Sequence, residues 1–156
     1  MEDSYRKYGP ALLRKAERLL LNKQDAMDIV QGLFMDLWER NQSEFNLPYL
    51  YQAVTRRALS MIRDQKNHQR LLARQDIALH PSPRILSESL VIGQDLLTKL
   101  IPQLDQKSSE ILVYRFIDDM THDEISVLLG VSKKTVLRKL ESIRMLVTKT
   151  SEGADD

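Results

Sequence analysis

The chain has 156 residues, a formal net charge of +1 and 42% hydrophobic residues, enough for folded cores and too many for a disordered chain. That length allows one ordinary domain or two small ones. It has no cysteine, its three histidines (His68, His80, His122) lack paired metal-ligand spacing, and no apolar run is long enough to span a membrane or serve as a secretory signal, so we expect a cytoplasmic protein with no metal and no cofactor.

Strand-like runs of Val, Ile, Thr and aromatics are nearly absent, so an all-α fold is expected. The first module covers 1–75. "ALLRKAERLLL" sets Leu12, Leu13, Ala16, Leu19 and Leu20 on a helical stripe. Asp25 is a candidate N-cap for the next helix, with Asp28 three residues on. That helix places Ile29, Leu33 and Leu37 on one face, with Phe34 and Trp38 on an adjacent stripe that reads as core. "NQSEFN" is a loop, and Asn46 caps a third helix that tolerates Pro48 in its first turn. The third helix continues through Val54, Ala58 and Ile62 into the basic "RDQKNHQRLLARQ". A linker is expected over 76–93, where "HPSPRILSES" brings prolines and serines together.

The second module covers 94–150. "DLLTKLIPQL" is a short helix that ends or bends near Pro102, and "KSSEILVYRFI" follows with Ile111, Leu112, Arg115 and Phe116 at helical spacing. After the turn "DDM", Thr121 and Glu124 form the T-x-x-E capping box. Ile125, Leu128 and Leu129 give the buried face. Gly130 supplies a left-handed C-cap, and Ser132 caps a last helix carrying Val136, Leu140, Ile143 and Val147. This pattern predicts a helix-turn-helix. The acidic end, 151–156, reads as a frayed tail.

Charge is unevenly distributed. Between Ala53 and Gln75 six basic residues (Arg56, Arg57, Arg63, Lys66, Arg70, Arg74) face the single acid Asp64. Between Lys133 and Lys149 six basic residues again face one acid, Glu141, whereas from Lys99 to Ser132 six acids outnumber three basic residues. Two basic segments in two modules point to a polyanion that spans both. The last helix opens with Lys133 and Lys134, against its own dipole. In a helix-turn-helix that end enters the DNA major groove, where a phosphate relieves the repulsion. Ser132, Lys133, Lys134, Thr135, Leu137 and Arg138 are therefore the candidate duplex-binding residues.

The order of these segments resembles the small two-domain sigma factors of bacterial RNA polymerase, the extracytoplasmic-function (ECF) group of the sigma-70 family. "DAMDIVQGLFMDLWE" (Asp25–Glu39) is similar to the family's region 2 helix, "LPYLYQAVTRRALSMIRDQKN" to the helix that recognises and melts the promoter, and the segment from Gln103 to Val147 to region 4. The resemblance implies two small helical domains joined by a flexible linker. It implies docking on the clamp helices of core RNA polymerase through the first of them, where Asp25, Asp28, Gln31, Asp36 and Glu39 offer acceptors. It implies promoter DNA as a partner, with Tyr49, Tyr51, Arg56, Arg57, Arg63 and Lys66 at the melted downstream element. The loop Gln42 to Leu47 corresponds to one that receives a flipped base. An anti-sigma factor is a further implied partner. The chain departs from the family pattern at Arg56 and Ser60, where Asn and Asp are usual, and at Met27 and Gly32, where acids are common.

No convergent acid–base pair, nucleophile motif or phosphate loop marks an enzyme. A helix-turn-helix regulator with an N-terminal dimerisation or sensing bundle, or a sigma-like adaptor that binds polymerase or an anti-sigma protein without melting DNA, stays open beside the sigma factor.

Overall fold

The computed structural model describes the backbone of residues 2–73 and 96–154, and side chains over 2–65 and 96–149. The expected linker and Arg74 lie outside what is described, as do the Lys66 and Arg70 side chains. Every regular element among the described residues is helical.

The first module is three helices: α1 (Glu2–Leu20), α2 (Lys23–Glu39) and α3 (Leu47–Ala73). Helix α1 is longer at its N-terminus than its apolar stripe suggests and runs through Pro10. Leu21, at φ 52°, ends it, and a left-handed leucine is uncommon enough to mark a sharp boundary. The N-cap of α2 is Asn22, whose Oδ1 accepts the Asp25 N–H at 3.0 Å, so Asp25 is not the cap. Asn and Asp cap about equally well, and the three-residue shift leaves Asp25 in the first turn. Asn46 caps α3 as expected, accepting the Tyr49 N–H at 3.0 Å.

Leu12, Ala16 and Leu19 of α1, Ile29, Leu33, Phe34 and Leu37 of α2, and Leu50, Val54, Ala58 and Ile62 of α3 form the first core. Each large aliphatic side chain removed from water contributes about 1.5–3 kcal/mol. Phe34 meets Tyr5 and Phe45 edge-on, with centroids at 5.1 and 6.2 Å. Trp38 does not join this core: it is 69% exposed, because it stands one stripe further round the helix than Leu37.

In the second module, residues 96–100 are helical and pass into a 3-10 turn, Ile101–Gln103, at Pro102. Helices α4 (Gln106–Phe116), α5 (His122–Leu129) and α6 (Lys133–Ala154) follow. Asp105 caps α4 by accepting the Ser108 N–H at 2.7 Å. The capping box closes on both sides: the Glu124 N–H donates to Thr121 Oγ1 and the Thr121 N–H to Glu124 Oε1. Gly130 is left-handed at φ 65°, and Ser132 Oγ accepts the Thr135 N–H at 3.1 Å. Ile111, Tyr114, Ile125 and Val136 make the small core of the helix-turn-helix. Leu128 and Leu129 are half-buried beside it, and Phe116 faces solvent. The backbone of α6 continues to Ala154, into the segment expected to fray.

The two modules touch. Leu97, Leu100, Ile101, Leu112, Val113 and Ile143 join the apolar cluster of the first module. Across this contact the acidic start of the second module lies against the basic face of the first.

Candidate nucleic-acid interface

The helix-turn-helix presents one surface. The αL turn at Gly130 and the Ser132 cap fix where α6 begins, so the side chains of its first two turns are set by backbone geometry. Ser132, Lys133, Lys134, Leu137 and Arg138 are exposed there, and Thr135 is half-buried with its hydroxyl 2.9 Å from Ser132 Oγ. Lys133 reaches Asp123 at 3.4 Å across the turn, a solvated pair worth little. Lys139 points the other way, donating to Asp105 at 3.1 Å. Hydrogen bonds from Ser108, and less strongly the Lys139 ammonium, hold the Asp105 carboxyl down to about 2. Within this basic helix, then, Lys139 serves the module's own packing, and the two lysines of the first turn face outward.

The second surface is α3, and its expected residues divide into groups. Tyr49 is exposed at the helix start. Arg57 donates to Asp36 of α2 at 2.5 Å, and this guanidinium lowers the Asp36 pKa. Arg56, Ser60, Met61, Asp64 and Gln65 line an open groove of about 450 Å³ with Arg57. Separately, Trp38, Asn41, Gln42, Ser43 and Phe45 line a hollow of about 200 Å³, at the loop expected to take a base. Tyr51 and Arg63 are turned toward the second module, and Arg56, still half-exposed in the groove, reaches it too. Arg56 Nε donates to Glu110 at 3.1 Å, and Arg63 donates to Gln106 at 2.7 Å and to Ser109 at 3.0 Å. The Tyr51 ring stacks on Tyr114 at 6.3 Å.

Behind these contacts is an ion pair between α1 and the turn after α4. Lys15 of α1 is fully buried and donates to Asp118 at 2.6 Å; the Asp118 side chain is 1% exposed. Arg18 donates to the other Asp118 oxygen at 3.1 Å. The Lys15 ammonium also sits over the Tyr51 ring at 4.1 Å, an arrangement that favours a cation. Burial dominates nonetheless and lowers the Lys15 pKa to about 8, with Asp118 opposing the shift. Burial also raises Tyr51 and Tyr114, so both phenols stay neutral. A signal was present: Lys15 lies three residues after Leu12 and four before Leu19, on the buried stripe.

The acceptors expected on α2 do not form one patch of free carboxylates. Asp28, Gln31 and Glu39 are exposed, Asp36 is held by Arg57, and Asp25 accepts from Gln65 at 3.3 Å. Among the described residues no three His, Asp or Glu side chains converge as metal ligands, and no helix is long and apolar enough to cross a membrane.

Residues 4–68 match the family described as Sigma-70 region 2, and residues 94–144 the family described as Sigma-70, region 4. No curated protein matches the sequence. Among solved structures, the chain is similar to the co-crystal structure of the sigma factor RpoE in complex with the anti-sigma factor NepR from Bartonella quintana. The TM-score is 0.51 at 17% identity, over 97% of this chain and 96% of that one.

Proposed function

Since the chain belongs to the sigma-70 family, with the paired regions 2 and 4 of its extracytoplasmic-function group, we propose that it binds core RNA polymerase and directs promoter recognition and transcription initiation. The observation that carries this reading is the first two turns of α6. There Lys133, Lys134, Leu137 and Arg138 are exposed at the end of a helix-turn-helix that enters a major groove. They read the upstream promoter element. Lysines contribute phosphate attraction, and Arg138 is placed for a base edge.

Region 2 docks on the clamp helices through the acceptors of α2. Its helix α3 holds the melted strand: Arg56, Arg57, Arg63 and Lys66 supply backbone attraction, and Tyr49 and Tyr51 supply stacking surfaces. The hollow beside Trp38 is sized for a flipped base, whose extrusion costs a few kcal/mol that the pocket must return. The polymerase does the chemistry, in the cytoplasm. A partner of the anti-sigma class is supported by the fold shared with RpoE in its NepR complex.

Run-off transcription with holoenzyme reconstituted from core polymerase and this chain tests the reading. Start sites absent with core alone are expected; their absence with both components refutes it. Arg56 and Ser60, at the positions of the family's Asn and Asp, favour a second reading. In it the chain binds polymerase and duplex DNA but does not open it. Permanganate reactivity of the promoter separates the two, since only opening makes unpaired thymines reactive.

A further inference from the structure

Arg57 lies across α2. Its Nη2 donates to Asp36 Oδ2 at 2.5 Å, and a Cβ placed on Gly32 would stand 3.7 Å from its Nη1, so the guanidinium rests over one turn of that helix. Arg57 lines the open groove together with Ser60, Met61 and Asp64, whereas Asp36 does not. The carboxylate thus grips the arginine from behind. One edge of the planar fork is engaged, and its other N–H donors are left for the groove.

This groove is a poor cradle for a phosphate. Asp36 already neutralises Arg57, and the exposed Asp64 sets another carboxylate on the groove wall. A base fits its chemistry better. Guanine shows the acceptors O6 and N7, which an arginine fork matches. On an unpaired strand its Watson–Crick edge, with the N1–H and N2 amino donors, is open as well. Asp64, about two turns along α3 from Arg57, is an acceptor for that edge, and the half-buried Met61 between them offers apolar surface to the ring. From this arrangement we propose that Asp36 is a positioning residue that turns Arg57 from a phosphate contact into a reader of an unpaired guanine in the α3 groove. This role rests on α3 being the single-strand surface of region 2. A fork fixed before binding loses less freedom on contact and does not swing to neighbouring phosphates. Asp36 therefore lowers general strand affinity and raises selectivity.

The full-length chain is titrated onto labelled thymidine strands of about 20 nucleotides that carry one central guanine, adenine or 7-deazaguanine, with anisotropy as the readout. The parent should prefer guanine over adenine by about fivefold or more, and 7-deazaguanine, which lacks N7, should lose most of that preference. Asp36→Asn should bind the all-thymidine strand more tightly, with a salt slope steeper by about 0.7, because the released arginine gains a phosphate. Its guanine preference should fall below about twofold, and Asp36→Glu should restore it. The half-exposed pair contributes little to stability, so Asp36→Asn should keep its helices. If circular dichroism shows otherwise, Arg57→Lys, which keeps the charge without the fork, should lose the same preference.

Equal binding of the guanine and adenine strands by the parent overturns the assignment, as does a preference that survives in Asp36→Asn. An equal loss of affinity for every strand in Asp36→Asn would make Asp36 a structural residue and overturn it too. Absence of run-off transcription would strike the polymerase reading alone. Start sites without a guanine preference would strike the role of Asp36 alone.

Discussion

Replacing Lys133 and Lys134 together by Gln separates binding from folding at the start of α6. Both side chains are exposed, and among the described residues the ion pair lost is the solvated one between Lys133 and Asp123. That loss costs about 0–1 kcal/mol. Removing two cations from a helix N-terminus returns about 0.3–1 kcal/mol each. Stability should therefore lie between about 0.4 kcal/mol below and about 2 kcal/mol above the parent. Binding should not. Each phosphate contact contributes about −0.9 to the slope of log affinity against log salt, or about 3.5-fold between 50 and 200 mM. Losing two contacts should remove about 12-fold of that salt penalty and weaken binding most at low salt. Fluorescence anisotropy with a labelled duplex across that salt range, alongside urea unfolding followed by circular dichroism, measures both quantities. A salt slope equal to the parent's would refute the placement of this helix end on the phosphate backbone.

Four further outcomes follow from single positions. Gly130→Ala should destabilise the chain by about 1 kcal/mol through its positive φ alone, since nothing lies within 4 Å of the added Cβ, and Gly130→Asn should cost less in the same urea assay. Gly32→Ala should stabilise by about 1 kcal/mol, because helix propensity improves and the new methyl meets only Arg57 Nη1 at 3.7 Å; an unchanged thermal midpoint would contradict this. Asp105 has a folded pKa of about 2 against 3.8, so its contribution is present above pH 4 and is lost as pH falls through 2. Asp105→Ala should cost about 1 kcal/mol at pH 7, and acid titration should bring the two proteins together as pH approaches 2. Lys15 is shifted downward, from 10.5 to about 8, so between those values the unfolded chain binds the extra proton and stability rises with pH. Lys15→Met should flatten that rise between pH 8 and 9.5, as read from urea midpoints.

Local signals told most of the fold. The Thr121–Glu124 box, Gly130 and Ser132 are caps whose chemistry depends on neighbours three residues away, and all three formed as expected. Asn46 is of the same kind. Asp25 was misread because Asn22, three residues earlier, is an equally good cap and nothing in the local pattern ranks them. Trp38 was misread because a helical stripe does not say how wide the buried face is. The contacts between regions were hidden for a different reason: Lys15 and Asp118 are 103 residues apart, and periodicity carries no information at that range. The opposite charge balance of 99–132 and 53–75 was visible, yet charge alone does not separate an internal partner from an external one.

The surface position of Trp38 has a practical consequence. It is the sole tryptophan, and indole already in contact with water emits at long wavelength in the native chain. Unfolding by denaturant should therefore barely move its emission, leaving intrinsic fluorescence nearly blind to loss of structure. Anything that covers this end of α2, whether a protein or a nucleobase lodged beside Asn41 and Phe45, should instead quench the indole or shift it to the blue. The chain thus carries an unlabelled reporter for capture at that spot.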